Sequence, residues 1–504
     1  MDAKTQSLWS EAKSNPPTPR LPSGITCDVC VVGAGMAGLT SAYLLAKAGK
    51  SVVVIDAKPE IASGESEYTT AQLAWYPDKH FTHLASVRGD DVAKIAAASH
   101  RAAIDLIGEI SRTESIACDF QRVDGYLFAG SSGAEILDDE AKTMARLELP
   151  HARCTVGFEG HGLPQGLRFP DHGQFHPVKY MAGLARAILA CGGQIHSRTV
   201  AEKIRGGEPG EVTTTHGDTI SARSIVIATN NPFEGGTSLH NKVAAYITYA
   251  IAAEIPKGAT APALYWDTED PYHYVRFQPA GPSDAFQYLI VGGEDHKTGQ
   301  ADDQPQRWDR LKTWAKAHYP DMGPVRHHWS GQVFETPDGL GLIGLAPWNG
   351  PNVYIITGDS GMGMTHSTLG AKLVADLALG RANEWAAAYS PSRLMPGALL
   401  ALLGENLNMA SQYADWVTGG DVASADDIPK GHGAIVRSGL TKLAIYNDEH
   451  GKRTTLSAVC PHMGAIVRWN PGELTWDCPC HGSRFSATGT CLHGPSSADL
   501  KPVE

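Results

Sequence analysis

Residues 27–38 read Cys27-Asp28-Val29-Cys30-Val31-Val32-Gly33-Ala34-Gly35-Met36-Ala37-Gly38, an apolar strand that runs directly into a glycine-rich turn. A helix over residues 39–48 is predicted to follow. Gly33 permits the tight turn, Gly35 lets the backbone approach a ligand closely, and Gly38 allows the helix to pack against the strand. The N-terminus of such a helix is the positive end of its dipole, so it attracts negative charge. The stretch therefore predicts an anion-binding strand–turn–helix unit.

A second apolar strand, residues 51–55, ends in Asp56, which lies 18 residues after Gly38. An acidic residue at about this distance accepts hydrogen bonds from a ribose 2′-hydroxyl, while the glycine turn holds a pyrophosphate. Strand, turn, helix, strand and acid in this order predict a Rossmann-like dinucleotide-binding unit. NAD and FAD are both bound in this way, so the unit alone leaves the dinucleotide open. The predicted contacts are Gly33, Ala34, Gly35, Met36, Ala37, Gly38, Asp56 and Ala57.

Four later stretches resemble those of the FAD-dependent D-amino-acid dehydrogenase and glycine oxidase group. Residues 64–72 resemble the segment that passes under the flavin, and residues 193–200 resemble the strand on the adenine side. Residues 224–230 resemble the strand that ends near the pyrophosphate, and residues 352–364 resemble the closing glycine-rich turn at the flavin pyrimidine edge. The resemblance implies FAD as the cofactor. It assigns contacts to Thr69, Thr70, Ala71, Gln72, Val200, Thr229, Asn230, Gly358, Asp359, Gly361, Met362, Gly363 and Met364.

Members of that group sometimes attach the flavin covalently through a His or a Cys. Residues 69–72 of this chain read Thr-Thr-Ala-Gln, and no cysteine lies near Gly358 in the sequence. We therefore expect the FAD to be bound non-covalently.

A second pair of motifs stands near residue 470. Cys460-Pro-His462-Met-Gly is followed, 15 residues after His462, by Cys478-Pro-Cys-His481-Gly-Ser. These boxes resemble the signature of Rieske proteins, in which two cysteines hold one iron of a [2Fe–2S] cluster and two histidines hold the other. Zinc also accepts two Cys and two His, but the flanking residues favour the Rieske assignment. The resemblance thus makes Cys460, His462, Cys478 and His481 the cluster ligands.

The boxes depart from those of high-potential Rieske proteins in two ways. The resemblance places a disulfide partner for Cys480 at position 465, which is alanine here, so we expect Cys480 to be a free, partly buried thiol. Ser483 matches the hydroxyl that bonds a bridging sulfide, but Phe485 stands where those proteins have tyrosine. Because hydrogen bonds to cluster sulfur raise the potential, we expect a potential below the respiratory type.

The chain has 504 residues, more than one hydrophobic core normally serves, so two or three domains are expected. We predict an α/β Rossmann-like FAD-binding domain with an interleaved antiparallel-sheet substrate domain, plus a small all-β Rieske domain. The predicted boundaries are residues 1–25 for an N-terminal tail, 26–390 for the oxidoreductase domain with its substrate sheet at about 80–190 and 240–335, 391–424 for a helical linker, and 425–504 for the Rieske domain. The linker has a helical pattern of leucines and is expected to dock the two domains, with its Leu and Met side chains used for packing: Leu399, Leu402, Leu403 and Leu407.

The composition is that of a globular protein, 42% hydrophobic and 19% charged, with a net charge of −12. This mixed, acidic balance argues against a nucleic-acid partner. No run of about 18 apolar residues predicts a transmembrane helix, and residues 1–22 lack the apolar core of a signal peptide, so we expect a cytoplasmic location. Cys27 and Cys30 lie on a predicted strand, where residues three apart face opposite ways, so we interpret them as buried strand cysteines.

A flavin accepts two electrons and a Rieske centre carries one, so their fusion indicates a two-to-one electron converter. The resemblance implies oxidation of a C–N bond in an amino acid or N-substituted amine, with electrons passing to a one-electron acceptor protein or a quinone. The substrate wall is expected in residues 246–276, where aromatic side chains alternate. Arg276 is a candidate to bind a substrate carboxylate, the alternative being a salt-bridged or surface arginine. Tyr249 and Tyr274 are candidate wall residues, and His366 is a candidate with a structural role as its alternative.

Three other functions have less support in the sequence. A reductase driven by NAD(P)H usually needs a second nucleotide fold, and residues 291–294, Val-Gly-Gly-Glu, lack that pattern. A redox sensor is the non-enzymatic alternative, but no DNA-binding motif or basic tail supports it. An oxygenase is disfavoured because no convincing set of two His and one carboxylate for a mononuclear iron is seen in the sequence.

Overall fold

A computed structural model of the chain describes residues 5–130, 133–156, 165–233, 239–258, 260–281 and 283–503. The strands are β1 (Ile25–Val32), β2 (Val52–Ile55), β3 (Gln72–Leu73), β4 (Gln121–Phe128), β5 (Ala152–Thr155), β6 (Gln165–Gln174), β7 (Gln194–His196), β8 (Ala201–Arg205), β9 (Gly210–Thr214), β10 (Thr219–Ile227), β11 (Ala244–Pro256), β12 (Ala263–Asp267), β13 (His273–Pro279), β14 (Phe286–Lys297), β15 (Val325–Glu335), β16 (Leu342–Leu345), β17 (Val353–Thr357), β18 (His432–Ser438), β19 (Thr441–Asn447), β20 (Arg453–Ser457), β21 (Arg468–Asn470), β22 (Thr475–Asp477), β23 (Arg484–Ser486) and β24 (Cys491–His493). The α-helices are α1 (Met36–Lys47), α2 (Phe81–Arg88), α3 (Asp90–Thr113), α4 (Ala134–Arg146), α5 (Pro177–Ala190), α6 (Gln304–His318), α7 (Gly363–Ala378), α8 (Ala386–Tyr389) and α9 (Leu399–Ser411). Short 3₁₀ turns occupy Leu8–Ala12, Glu65–Glu67, Pro396–Ala398, Gln412–Trp416 and Ala425–Asp427.

The first sheet has a parallel centre and carries the glycine-rich turn. Its order is β16-β17-β10-β1-β2-β7, and β9 and β8 extend it beyond β10 as antiparallel strands. The neighbours from β17 through β7 are parallel. All four residues of β2 are buried, as expected for a parallel sheet that is covered on both faces. Residues of α1, α5 and α7 join this sheet in one hydrophobic core, which fixes the start of α1 against the ends of the strands.

The second sheet is mainly antiparallel, as predicted for the substrate domain. Its order is β15-β11-β14-β13-β12-β4-β6-β3, with β5 beside β6. Within the described ranges, β12 and β4 form its parallel pair and the other neighbours are antiparallel. Helix α6 covers one face, where Trp308 and Leu311 join a core with the inward side chains of β11, β13 and β14. The opposite face is left to form the wall of a cavity.

The Rieske part is all-β. A three-stranded sheet, β18-β19-β20, stands beside a four-stranded sheet, β21-β22-β23-β24. Trp476 and Phe485 are fully buried in a core that also contains Cys460 and Cys478. The predicted fold class, a Rossmann-like FAD-binding domain with a substrate sheet and a small all-β Rieske domain, is confirmed.

Part of the predicted tail, residues 5–20, lies along the folded body. Trp9 is fully buried, and its indole Nε1 donates to the Thr69 carbonyl at 2.6 Å. The Thr5 hydroxyl donates to the Glu473 carboxylate of the Rieske part at 2.7 Å. A buried tryptophan removes a large apolar surface from water, so this segment is held to the FAD-binding part and the Rieske part together.

The linker helix α9 forms, but the packing role expected of its leucines does not fit their exposure. Leu403 is 50% exposed and Leu407 is 71% exposed. Leu399 is also exposed and Leu402 is half-buried. Other side chains of the helix reach both parts of the chain. Glu405 accepts from Lys297 at 2.7 Å, and Met409 packs against the Rieske core. Among the described residues, no helix is long and apolar enough to cross a membrane.

Candidate active site and cluster centre

The turn after β1 can be built only from glycine at two of its positions. Gly33 has φ 111°, and a Cβ there would lie 2.4 Å from the Ala228 carbonyl oxygen. A Cβ at Gly38 would lie 1.8 Å from the Gly33 carbonyl oxygen. No side chain fits at either distance, so β1, β10 and α1 meet here through backbone alone. This close approach brings the N-terminus of α1 to the cavity described below.

Asp56 follows β2 at the edge where the parallel strands end. Its carboxylate accepts from the Ala34 N–H at 2.5 Å and from the Lys58 N–H at 2.7 Å. Burial raises the pKa of Asp56, while these two amides oppose that rise. The acid is thus fixed beside the glycine turn, at the position where this type of fold hydrogen-bonds the ribose of a dinucleotide.

A cavity of about 480 Å³ lies between the parallel sheet, the antiparallel sheet and the Rieske part. Most of the residues predicted to contact FAD line it: Gly33, Gly35, Met36, Ala37, Asp56, Ala57, Thr69, Thr70, Gln72, Val200, Thr229, Asn230, Asp359, Gly361, Met362, Gly363 and Met364. Tyr274 and His366 also line it. Gln72 Nε2 is buried, and no partner for it is found in the described chain. Such an orphaned donor and a turn without side chains fit a polar ligand such as FAD.

Four of the predicted contacts lie behind the lining. Ala34 and Gly38 serve the turn through the contacts given above. The Ala71 carbonyl accepts a hydrogen bond from Arg276 at 2.7 Å. A Cβ at Gly358 would lie 2.7 Å from the Thr336 side chain. These residues hold the walls in place instead of facing the cavity.

Arg276 does not fit the role of binding a substrate carboxylate. It is fully buried outside the cavity lining. Its guanidinium donates to the backbone carbonyls of Ala71 at 2.7 Å and Phe175 at 3.0 Å, and to the Gln278 side chain. Burial lowers the pKa of Arg276 to about 9. The side chain therefore supports the segment before Gln72 from behind with its Nη1 and Nη2 donors. Its Nε is buried with no partner in the described part of the chain.

Tyr249 also lies away from the cavity, whereas its neighbour Thr248 lines it. Successive side chains of β11 point to opposite faces of the sheet, which puts Tyr249 in the core under α6. There its hydroxyl bonds His296 Nε2 at 2.9 Å, and its ring meets that of Trp308 edge-on at 5.1 Å. The wall role predicted for Tyr249 does not fit this position. Tyr274 does face the cavity, and its hydroxyl bonds Thr248 Oγ1 at 2.7 Å.

His366 begins the second turn of α7 and is 3% exposed. Burial lowers its pKa to about 3, so the ring is neutral at physiological pH. Its Nε2 has no hydrogen-bond partner among the residues described. A Cβ on Gly341 would lie 1.9 Å from the His366 ring, so this glycine makes room for the imidazole.

The sequence reasoning missed two carboxylates in the cavity, Asp78 and Asp295. Burial raises the pKa of each to about 7. Asp78 precedes α2 and Asp295 lies near the end of β14, so nothing in the local sequence connects them. The Tyr272 hydroxyl lies 3.4 Å from Asp295 Oδ2 and also hydrogen-bonds to Asp78.

The predicted cluster ligands come together at the tips of two Rieske loops. Hydrogen bonding between the Cys460 and Cys478 thiols, with burial, raises the pKa of Cys460. The rings of His462 and His481 have centroids 4.9 Å apart. His462 Nδ1 is buried and has no partner within the described ranges, which leaves a donor for iron. No three His, Cys, Asp or Glu side chains of the described residues form a single-metal group, and a two-iron cluster needs only two protein ligands per iron.

Cys480 is a free thiol that is 9% exposed, and Ala465 beside it is buried. The Cys480 thiol lies 3.6 Å from the Met409 carbonyl of α9. Ser483 is fully buried and hydrogen-bonds to the Cys460 side chain. Phe485 is fully buried with no hydroxyl to offer. Position 465 thus offers Cys480 no disulfide partner, and Ser483 lies beside a predicted cysteine ligand. A hydrogen bond from Ser483 to a bridging sulfide stays a prediction.

The Rieske part closes one side of the cavity, which no local sequence signal predicted. Cys491, His493, Gly494, Ser496 and Ser497 line the same cavity as the glycine turn. His493 Nδ1 lies 2.9 Å from the Glu65 carboxylate. The two residues are far apart in the chain, so this contact fastens the segment 491–497 over the dinucleotide cradle.

The cluster loops also lie directly against the FAD-binding part. Asn231 Nδ2 donates to the His481 carbonyl at 2.9 Å, and Gln332 Nε2 donates to the Gly482 carbonyl at 2.7 Å. The ring of His240 lies with its centroid 4.7 Å from that of His462 and 5.6 Å from that of His481. The histidine side of the cluster site therefore faces the oxidoreductase domain.

Comparison with known proteins settles the family. Residues 28–377 match the family DAO, FAD dependent oxidoreductase. The chain belongs to the FAD-dependent oxidoreductases. Residues 419–504 match the Rieske [2Fe-2S] domain. The predicted cofactors, FAD and a [2Fe–2S] cluster, are confirmed by these two matches, and so is the prediction that the protein is an oxidoreductase.

Relatives share this architecture in whole or in part. The Rieske 2Fe-2S iron-sulfur protein YhfW of Bacillus subtilis (strain 168) is 28% identical over 503 residues, which is 99% of this chain and 97% of the relative. Gamma-glutamylputrescine oxidoreductase of Escherichia coli (strain K12) is 26% identical over 422 residues, 79% of this chain and 94% of that protein. The crystal structure of glycine oxidase from Geobacillus kaustophilus covers 73% of this chain and 99% of its own, with a TM-score of 0.62 and 20% identity. The last of these similarities shows the fold.

Proposed function

We propose that the protein is a dehydrogenase that oxidises the C–N bond of an amino acid or N-substituted amine. Its electrons leave one at a time through the Rieske centre to an external acceptor, a protein or a quinone. The observation that carries this proposal is the shared cavity: residues 491–497 of the Rieske part line the same space as the glycine turn after β1. A cluster domain seated on the flavin cavity is what a two-to-one electron converter requires.

The chemistry balances with the two cofactors named above. Bound FAD supplies a two-electron acceptor, and the Rieske centre carries single electrons. The substrate loses a hydride from carbon and a proton from nitrogen to give an imine. Water then hydrolyses the imine to a carbonyl compound and an amine or ammonia. Two one-electron transfers to the external acceptor restore the oxidised protein.

The chain's own residues position the substrate and hold the proton. Tyr272, Tyr274 and Trp266 provide an aromatic wall on the antiparallel sheet, which fits the need to orient the C–N bond. Burial raises the pKa of Asp78 and Asp295 to about 7. Carboxyl groups with such values can accept the amine proton at neutral pH.

Docking of the cluster loops supports an internal electron path. The His240 ring packs against the rings of both predicted histidine ligands, and Asn231 Nδ2 donates to the His481 carbonyl. Both of these contacting side chains belong to the FAD-binding part. This arrangement favours transfer within one molecule over transfer between two. The cytoplasm is the location we propose, and cell fractionation with an antibody would test it.

The test is anaerobic mixing of the holoprotein with amines, amino acids, NADH and NADPH. Flavin absorbance and the EPR signal of the reduced cluster are followed together. We expect an amine to bleach the flavin and the cluster signal to follow. In Cys460→Ser the flavin should still bleach, but turnover with a one-electron acceptor should stop. Cys191→Ser, which changes an exposed thiol, is the control. Reduction by NAD(P)H alone, or a cluster that stays oxidised beside a reduced flavin, would overturn the proposal.

A further inference from the structure

The cavity is acidic. Within the described part of the chain, Lys58 is the one Lys or Arg side chain that lines it. Its Nζ donates to the Leu492 carbonyl in the Rieske segment. The one nearby guanidinium of the substrate sheet, Arg276, is buried behind the wall. Against this stand seven carboxylates in the lining: Asp56, Glu65, Asp78, Asp267, Glu269, Asp295 and Asp359.

Several of these acids have structural partners. Asp56 holds two backbone amides beside the ribose position. Glu65 pairs with His493. Asp267 Oδ2 lies 2.7 Å from His273 Nδ1, and the Asp359 carboxylate accepts from the Phe334 N–H at 3.2 Å. These contacts account for their presence without a substrate.

Asp78 and Asp295 are different, because they share one neutral donor between them. The Tyr272 hydroxyl lies 3.4 Å from Asp295 Oδ2 and also serves Asp78. Asp295 interacts with the Thr248 hydroxyl as well. Even so, Asp295 Oδ1 is buried without a hydrogen-bond partner in the part of the chain described. An acceptor left unpaired in a cavity favours a ligand that brings a donor, because a buried acceptor without a hydrogen bond costs free energy.

The charges facing this pair leave it short of a cation. Glu335 on β15 adds a third carboxylate whose charge raises the pKa of both acids, after burial. Lys79, next to Asp78, is the cation whose charge acts on that acid. Its Nζ lies 2.5 Å from the Glu335 carboxylate. Three carboxylates therefore face one lysine, which is already engaged. A protonated amine entering the cavity would supply the missing positive charge.

Aromatic rings stand beside the two acids. The rings of Tyr272 and Tyr274 have centroids 5.7 Å apart, and Trp266 lines the same wall. A cation held over an aromatic face gains further attraction when water is excluded. Among the described residues of this wall, no Lys or Arg is placed to meet an anion.

We propose that Asp78, Asp295 and Tyr272 form the subsite for the ammonium group of the substrate, and that the reacting end of this substrate carries no carboxylate. The inference rests on the proposed function and narrows it from amino acids and amines to cationic amines. A carboxylate brought to this wall would meet two buried acids and lose its own hydration, which penalises its charged form. The substrate class is thus an alkylamine or a diamine whose charged nitrogen enters first.

The test uses two probes of one shape that cannot be oxidised, so that it is independent of turnover. tert-Butylamine has no hydrogen on its α-carbon and is a cation at neutral pH, while pivalate carries a carboxylate on the same tert-butyl group. Each is titrated into the FAD-loaded holoprotein, and the shift of the flavin absorbance gives a Kd. We expect tert-butylamine to bind at least tenfold more tightly than pivalate. Asp295→Asn and Asp78→Asn should each weaken tert-butylamine tenfold or more.

Asp139→Asn, a change at a side chain that is 54% exposed on α4, is the matched control and should leave both Kd values within twofold. Tyr272→Phe keeps both acids and should weaken the amine less than the loss of an acid does. Tighter binding of pivalate, or an unchanged tert-butylamine Kd in both Asp variants, would overturn the inference. If tert-butylamine binds as expected while no oxidisable amine bleaches the flavin, the proposed dehydrogenase function fails and the cation subsite stands.

Discussion

The change Gly38→Ala tests how the glycine turn holds FAD. The added Cβ would lie 1.8 Å from the Gly33 carbonyl oxygen. The position of the Cβ is fixed by the backbone and the oxygen is a backbone atom, so no rotation of a side chain can relieve the overlap. Real Cβ contacts are essentially never below 3.0 Å, so the start of α1 must move by more than an ångström.

The size of the effect follows from what moves with that helix. Ten of its twelve residues are buried, and forcing an extra methyl group into such a core costs about 1–3 kcal/mol. If that strain is borne in the FAD-bound state, where the N-terminus of α1 must meet the pyrophosphate, the Kd for FAD rises roughly 5- to 150-fold. We therefore expect Gly38→Ala to be purified with little flavin.

The assay is a titration of the apoprotein with FAD, followed by quenching of flavin fluorescence. Gly404→Ala is the matched control, because Gly404 lies inside helix α9 with nothing within 4 Å of an added Cβ. That control should keep the wild-type Kd and gain about 0.5–1 kcal/mol of stability from helix propensity. The EPR signal of the cluster reports whether the Rieske part stays folded. A Gly38→Ala protein that binds FAD within twofold of wild type would refute the reasoning.

Three further predictions concern single side chains. Burial raises the pKa of Asp295 from its ordinary value to about 7. The stability linked to this carboxyl group is therefore full only at low pH and is lost as the pH rises toward 7. Asp295→Asn should raise the urea midpoint of the substrate-free protein more at pH 8.5 than at pH 5, and an equal change at both would contradict this. Phe485→Tyr offers the buried hydroxyl that is missing beside the cluster, so we expect a more positive potential in an EPR redox titration, and a lower potential would count against it. Cys480→Ala should keep the cluster signal, because this thiol is free and is not among the four predicted ligands; loss of the signal would assign it to the cluster.

The sequence predicts those parts of the site whose residues lie close together along the chain. Gly33, Gly38 and Asp56 are joined by a single β-α-β unit, so their spacing was enough to predict where they meet. The two Rieske boxes likewise lie on adjacent loops. In both cases the residues that matter are separated by one short connection, whose geometry is nearly fixed.

Predictions failed where packing between distant segments decides the outcome. Arg276 lies two residues after Tyr274 on β13, so both share a face of the sheet. Residues 70–71 cover that face at Arg276 and leave it open at Tyr274, which the strand pattern cannot reveal. Tyr249 points into the core, away from the cavity, because helix α6 covers its face of β11. The pair of Asp78 and Asp295 joins segments more than 200 positions apart in the sequence, and no periodic pattern links them.

The bond between Thr5 and Glu473 has a consequence for how the protein is made. The two residues are 468 positions apart, so a ribosome must finish almost the whole chain before this contact can form. Glu473 also accepts from Ser330 at 2.6 Å, which ties the Rieske part to the edge strand β15 of the substrate sheet. During synthesis the segment that carries Trp9 must wait, exposed, for its partners. Docking of the N-terminal segment on the Rieske part is therefore a late event, which follows the synthesis of residue 473.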